Sequence, residues 1–175
     1  VTTVKRVLIA AVWQRHNSPT HQEPADLVRC NAVYASAMRD VYARFPSDLD
    51  VAAIFAEAMM NRTPWRLWDM ESGKPLDNAD TLEMVAVLEK GMAQSAYPHP
   101  GLLHLYIHTM EMSPTPQRAL RAADQLHPLV PDCGHLRHMP APIYMKCGQY
   151  YHALAVSHNT TATKCQSTPH ATLGQ

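Results

Sequence analysis

The sequence predicts an all-α fold of repeated helical hairpins, on three observations. Apolar residues recur three and four apart along the chain, and no segment alternates over the length of a strand. Prolines mark predicted helix ends, and counting back five, eight and twelve residues from three of them gives a recurring set. Pro131 gives Leu126, Ala123 and Ala119; Pro98 gives Ala93, Lys90 and Ala86; Pro46 gives Val41, Met38 and Tyr34. Lys90 is the one non-apolar member, and its aliphatic stem can lie on an apolar surface. The third observation is the period: Pro98 and Pro131 are 33 residues apart, close to the ~34 of a tetratricopeptide repeat. The longer Pro46 to Pro98 interval is explained by one inserted loop.

In order, a first helix is predicted from about Val4 to Arg15, followed by a polar, Pro-containing link from His16 to Pro24. A second runs from about Ala25 to Arg44 and stops at Phe45-Pro46-Ser47-Asp48. Asp48 or Asp50 caps the third, which continues through Asn61, because a short side-chain oxygen there can accept from the first free backbone N–H groups. The insertion, about residues 62 to 79, holds Pro64, Gly73 and Pro75 and carries Trp65 and Trp68. Both tryptophans could lid the groove, but packing on the outer wall is expected, since large aromatics bury much area where they can. Asp80 or Thr81 opens a helix to about Gln94, and the Pro98 to Pro131 pair follows. Beyond it, Tyr144-x2-Cys147-Gly148-x2-Tyr151 resembles the W-x2-L-G-x2-Y signature of a first repeat helix, with Gly148 allowing close helix approach. From Thr161 helical periodicity gives way to Thr, Ser and Gln, which predicts a disordered tail over residues 161–175. Residues 1–160 are thus read as one tetratricopeptide-like domain, a right-handed superhelix of about three helical pairs. Its last repeat lacks a polar capping helix, so self-association through the C-terminal end is expected.

Composition narrows the function classes. Fifteen Lys and Arg balance fifteen Asp and Glu with no basic stripe, so neither nucleic acid nor an anionic membrane surface is an expected partner. The apolar run Val7 to Trp13 is too short to span a bilayer and lacks a signal-peptide cleavage pattern, which points to a cytoplasmic chain. Cys30, Cys133, Cys147 and Cys165 are dispersed without a C-x2-C pair, as reduced thiols would be. Neither a G-x-S-x-G elbow nor a glycine-rich phosphate loop occurs.

The chemistry lies in the histidines. His104, His108 and Glu111 are spaced four and three apart and so share one face of a helix. Registering that helix on the repeat puts Leu103, Tyr106 and Ile107 at packing positions and leaves the His/Glu stripe on the concave groove. The next repeat's first helix is predicted to begin near Pro140, so His135 and His138 fall in the turn that feeds it, beside the same groove. Glu57, on the first helix of the preceding repeat, is a further candidate ligand or general base. Imidazoles with a carboxylate suit zinc, iron, copper or manganese better than calcium or magnesium, which prefer oxygen-only shells. Two histidines and a carboxylate also match the ligand count of an open facial site. His99, before Pro100, reads as a cap or turn residue, and the clustered methionines Met59, Met60, Met110, Met112, Met139 and Met145 as core filling.

The segments AEAMMNRTPWRLWD (residues 56–69), HPGLLHLYIH (residues 99–108) and GHLRHMPAPIY (residues 134–144) together resemble a bacterial and fungal family of longer tetratricopeptide-repeat proteins. The likeness covers roughly residues 30 to 160. The family's last motif reads GHLxHMPxHIY, and Pro142 stands here where the family carries a third histidine. The resemblance implies a repeat fold, a set of polar positions and a chain shorter than its relatives, but no reaction. Two functions are therefore expected in this order. The first is a repeat scaffold whose groove, lined by His104, His108, Glu111, His135, His138 and Glu57, binds a protein, a peptide or a small ligand. The second is a metal-dependent hydrolytic or oxidative enzyme that uses the His/Glu cluster as ligands.

Overall fold

In a computed structural model of the chain, residues 2–16 and 24–157 are described. They form helices joined by turns: α1 (Thr3–His16), α2 (Pro24–Arg44), α3 (Leu49–Met60), α4 (Thr81–Gln94), α5 (Pro100–Met110), α6 (Leu120–Leu129), α7 (Gly134–His138) and α8 (Pro140–Lys146). A 3-10 turn, Pro116–Ala119, leads into α6, and residues 150–157 are helical again. Each long helix packs on its chain neighbours, and α3 also packs on α5. That is the pattern of stacked hairpins in which α1, α3 and α5 are first helices and α2, α4 and α6 second helices, so the expected all-α, tetratricopeptide-like fold is the one observed.

The second helices share one buried triplet. Tyr34, Met38 and Val41 on α2 and Ala119, Ala123 and Leu126 at α6 are all buried, as the counts from Pro46 and Pro131 predict. The count from Pro98 fails: Ala86, Lys90 and Ala93 are exposed, and Met84, Leu88 and Gly91 hold the equivalent places. The reason is the length of the link. Pro46 and Pro131 stand two residues past the ends of α2 and α6, whereas Pro98 stands four past the end of α4. Lys90 instead lies on the outside, its Nζ 5.7 Å from the Tyr42 ring centroid.

Polar struts tie each pair to the one before. The Tyr106 hydroxyl on α5 donates to Glu89 on α4 at 2.6 Å, and the Tyr144 hydroxyl on α8 donates to Asp124 on α6 at 2.7 Å. Burial, reinforced by the carboxylate partner, pushes both phenols well above their ordinary pKa. Across α2 and α4, Arg39 makes a two-pronged contact with Glu83, at 3.0 and 2.7 Å.

Local capping follows the sequence in part. Asp48 is the cap of α3, accepting from the Val51 N–H at 3.1 Å, while Asp50 meets His99 Nε2 at 3.1 Å. His99 caps α5 as expected, its Nδ1 accepting from the Leu102 N–H. Asp80 stands at the start of α4 but turns to Arg62 and Arg39, and Thr81 donates to the Leu67 carbonyl at 2.7 Å. Gly148 is not a point of close helix approach, because a Cβ there would meet nothing within 4 Å. Its φ of +74° instead ends α8, with the Gly148 N–H bonded to the Met145 carbonyl and the Gln149 N–H to the Tyr144 carbonyl. Tyr151 accordingly stays 81% exposed.

Of the cysteines, Cys30, Cys133 and Cys147 are free and partly buried, and Cys165 lies outside the described residues. So does the predicted 161–175 tail. Among the described residues no helix is long and apolar enough to cross a membrane.

Close approach of α4 and α5 needs Gly91. A Cβ there would sit 2.9 Å from Leu102 Cδ1 and 3.3 Å from Cδ2, and Leu102 is fully buried. For Gly91→Ala, a helix-propensity gain of about 1 kcal/mol opposes the displacement of one leucine methyl, and the net change is expected to stay within about 1 kcal/mol. Gly91→Val adds branched bulk at the same contact and is expected to lose about 1–3 kcal/mol. Urea unfolding of the three proteins reads the series; a valine variant as stable as the parent would refute the contact.

Candidate metal centre and adjoining pocket

On α5 every residue from Leu102 to Met110 is buried except His104 and His108, which are partly exposed. Seven apolar or satisfied side chains fix the rotation of this helix, and the two imidazoles are left on its one open stripe. Leu103, Tyr106 and Ile107 are buried as the repeat register predicts. His135 arrives from α7, a five-residue helix whose own residues include none that is fully buried. It sits beyond the sequence expectation of a simple turn, but in the expected place beside the groove.

The three imidazoles converge. His104 Nε2 and His135 Nε2 are 3.2 Å apart. Ring centroids lie 4.7 Å apart for His104 and His108, 5.1 Å for His104 and His135 and 6.4 Å for His108 and His135. One nitrogen from each of the three falls within 4.8 Å of the other two. Glu111 stands one step back, its Oε1 3.3 Å from His108 Nδ1, with both side chains largely shielded. With Nδ1 so engaged, Nε2 is the His108 nitrogen left to face the cluster.

Not all the expected members are brought together. Glu111 supports His108 rather than joining the three nitrogens, and His138, exposed, is outside the group. Glu57 is exposed on α3 and is also outside it, acting on Tyr34 through space instead. Pro142 occupies the first turn of α8, partly buried. Met59, Met110 and Met139 are core residues, whereas Met112 and Met145 are exposed and Met60 is partly buried.

The insertion forms a wall of the site, close to the lid that its tryptophans offered as the alternative to packing. Trp68 Nε1 donates to the Thr109 carbonyl at 2.7 Å, which bonds the insertion to the turn of α5 that carries His108. Within it, Asp69 N–H to Lys74 carbonyl and Leu76 N–H to Leu67 carbonyl bonds draw the chain back on itself, and Gly73 at φ +67° packs on Pro114. Trp65 does not pack as expected. It is 76% exposed, with its ring edge-on to His108 at 5.8 Å. Its φ of +61° is in the left-handed region, where a non-glycine residue is costly by about 1–2 kcal/mol. Between Trp65, Met60, Asn61, Pro64, Leu67, Met112, His108 and Glu111 lies a pocket of about 180 Å³, mostly apolar, with Asn61, His108 and Glu111 as its polar lining.

No family model and no curated protein matches the chain. Among solved structures it is similar to one described as MamA MSR-1 C2, a tetratricopeptide-repeat protein, with a TM-score of 0.55 and 12% sequence identity, over 94% of this chain and 90% of that one. The shared feature is the helical repeat fold.

Burial, then the neighbouring His108 and His135 imidazoles, draw the His104 pKa down from 6.5 to about 4. The folded chain therefore keeps His104 neutral through mild acid while the unfolded chain takes up its proton near pH 6.5. In chelator-treated protein, the stability linked to this group is expected to be intact above about pH 6.5 and to fall as pH drops from there toward about 4, where the loss levels off. Urea midpoints across that range, parent against His104→Gln, measure it; parallel curves would reject the assignment.

Proposed function

We propose that the chain is a tetratricopeptide-like binding scaffold that takes a protein or peptide partner in its groove, anchored in the Trp65 pocket. The observation that carries this reading is Trp65 itself. Among the described residues this tryptophan is 76% exposed, on strained backbone, beside a pocket walled by two methionines, with its ring edge-on to His108. Strain of this kind concentrates where a site must be presented. Exposed Trp is also the residue type most enriched among binding hot spots, and methionine walls adapt to varied apolar partners. His108 and Glu111 at the pocket end supply hydrogen-bonding groups that orient what enters.

A metal-dependent enzyme, hydrolytic or oxidative, is the second reading, favoured by the three imidazoles that converge beside the same pocket. The two readings part on turnover: the scaffold binds without chemical change, and its binding survives loss of His104.

The test is a display selection of peptides against the purified chain, with affinities then read from the change in tryptophan fluorescence or by calorimetry. Trp65→Gly removes the anchor and relieves the backbone, so affinity is expected to fall at least tenfold, about 1.4 kcal/mol, while stability moves by less than about 1 kcal/mol. Tyr97→Ala, at an equally exposed aromatic, 82%, leaves affinity unchanged. Selected peptides that bind equally well to Trp65→Gly would place the partner elsewhere and end this reading.

A further inference from the structure

We propose that His104, His108 and His135 form a binding site for a zinc-type divalent transition metal, with Glu111 orienting the His108 ring from behind. The site stands on geometry independent of what the groove binds.

The first argument is a distance. Two imidazole nitrogens on one tetrahedral ion, each about 2.0–2.1 Å from it, lie about 3.3 Å apart. His104 Nε2 and His135 Nε2 are separated by 3.2 Å. A hydrogen bond between two neutral tautomers accounts for that one pair, but it uses a single proton between two nitrogens. It leaves out the third imidazole, His108, whose nitrogen lies within 4.8 Å of both. Three basic rings pressed together repel one another if protonated, whereas a shared cation turns the same crowding into three bonds.

The second argument is how the ligands are held. His104 and His108 are four apart on α5, the spacing that stacks two imidazoles on one helix face, and the buried residues around them fix that face. The third ligand comes from a separate element, α7, which allows the set to close around an ion from two sides. Glu111 at 3.3 Å from His108 Nδ1 completes the carboxylate–histidine arrangement that sets the tautomer, leaves Nε2 for the metal and raises its basicity.

The third argument concerns which metal. The two-histidine, one-carboxylate facial set expected of iron is not formed, because the carboxylate sits behind a histidine rather than beside it. Three neutral nitrogens without sulfur suit zinc, with cobalt as its spectroscopic substitute. No fourth His, Cys, Asp or Glu among the described residues joins the group, so a tetrahedral ion draws its fourth donor from outside this set.

The test uses the whole chain, stripped with chelator and then titrated with Zn²⁺ in competition with a chromophoric chelator, and separately with Co²⁺ followed by visible absorption. One ion per chain is expected, with the intense absorption of tetrahedral Co²⁺. His135→Ala is the primary variant, since His135 is exposed and its loss leaves the core intact; a circular dichroism melt verifies the fold. It should weaken Zn²⁺ at least a hundredfold, Glu111→Gln by ten- to a hundredfold, and His138→Ala not at all. Zn²⁺ binding no tighter to the parent than to a His104→Ala/His135→Ala double variant would overturn the site, as would an equal loss in His138→Ala.

Discussion

The arrangement of the site depends on the burial of α5. Seven of its nine residues from Leu102 to Met110 are enclosed by α3, α4 and α6, so the helix cannot rotate without exposing apolar surface. Burying a leucine- or isoleucine-sized side chain is worth roughly 1.5–3 kcal/mol each, and several such groups must be exposed together for the helix to turn. The gap left in that enclosure is a stripe two residues wide. His104 and His108 fill it, and their direction is set by the neighbours that are buried rather than by any bond the imidazoles make.

From that fixed helix the site is built outward by two devices. The insertion after α3 is bonded back to α5 through Trp68 and the Thr109 carbonyl, and to the start of α4 through Thr81 and the Leu67 carbonyl. It is therefore part of the repeat packing, and it carries Trp65 to the edge of His108 as a consequence. The second device is α7, which brings His135 from the following pair. Pocket and imidazole cluster share His108, so an occupant of one is within reach of the other.

Much of this was legible in the sequence. The helical hairpins follow from three-and-four apolar spacing, and the His104/His108 stripe from its own spacing together with the packing positions of Leu103, Tyr106 and Ile107. What was not legible depended on lengths and rotamers. Proline locates a helix end only where the link has constant length, which is why Pro98 misplaced the α4 triplet by two residues. Spacing puts Glu111 on the His108 face, but whether it serves as ligand or as support is decided by side-chain rotation. His135 and His138 share one short segment, and only the emergence of α7 separates them. Trp65 was misread because burial of a tryptophan in an insertion depends on how the insertion folds, and no local pattern announced a positive φ. Gly148 looked like a packing glycine because the signature around it resembles a first repeat helix; it is the residue that stops one.

The position of α7 gives the cluster a structural consequence. In a repeat protein stability is the sum of each pair's own packing and of the interfaces between neighbours. The α5 and α6 pair is well enclosed, but α7 contributes no fully buried side chain and meets α5 through the imidazoles. His135 thus adds a polar contact to α5 beside the Tyr144–Asp124 bond that ties α8 to α6. An ion held by His104, His108 and His135 would bond two elements whose apolar contact is slight, and its binding free energy would enter at that joint. The same three residues would then tie α7 to α5, alongside the packing of α8 on α6 that holds the last repeat to the rest.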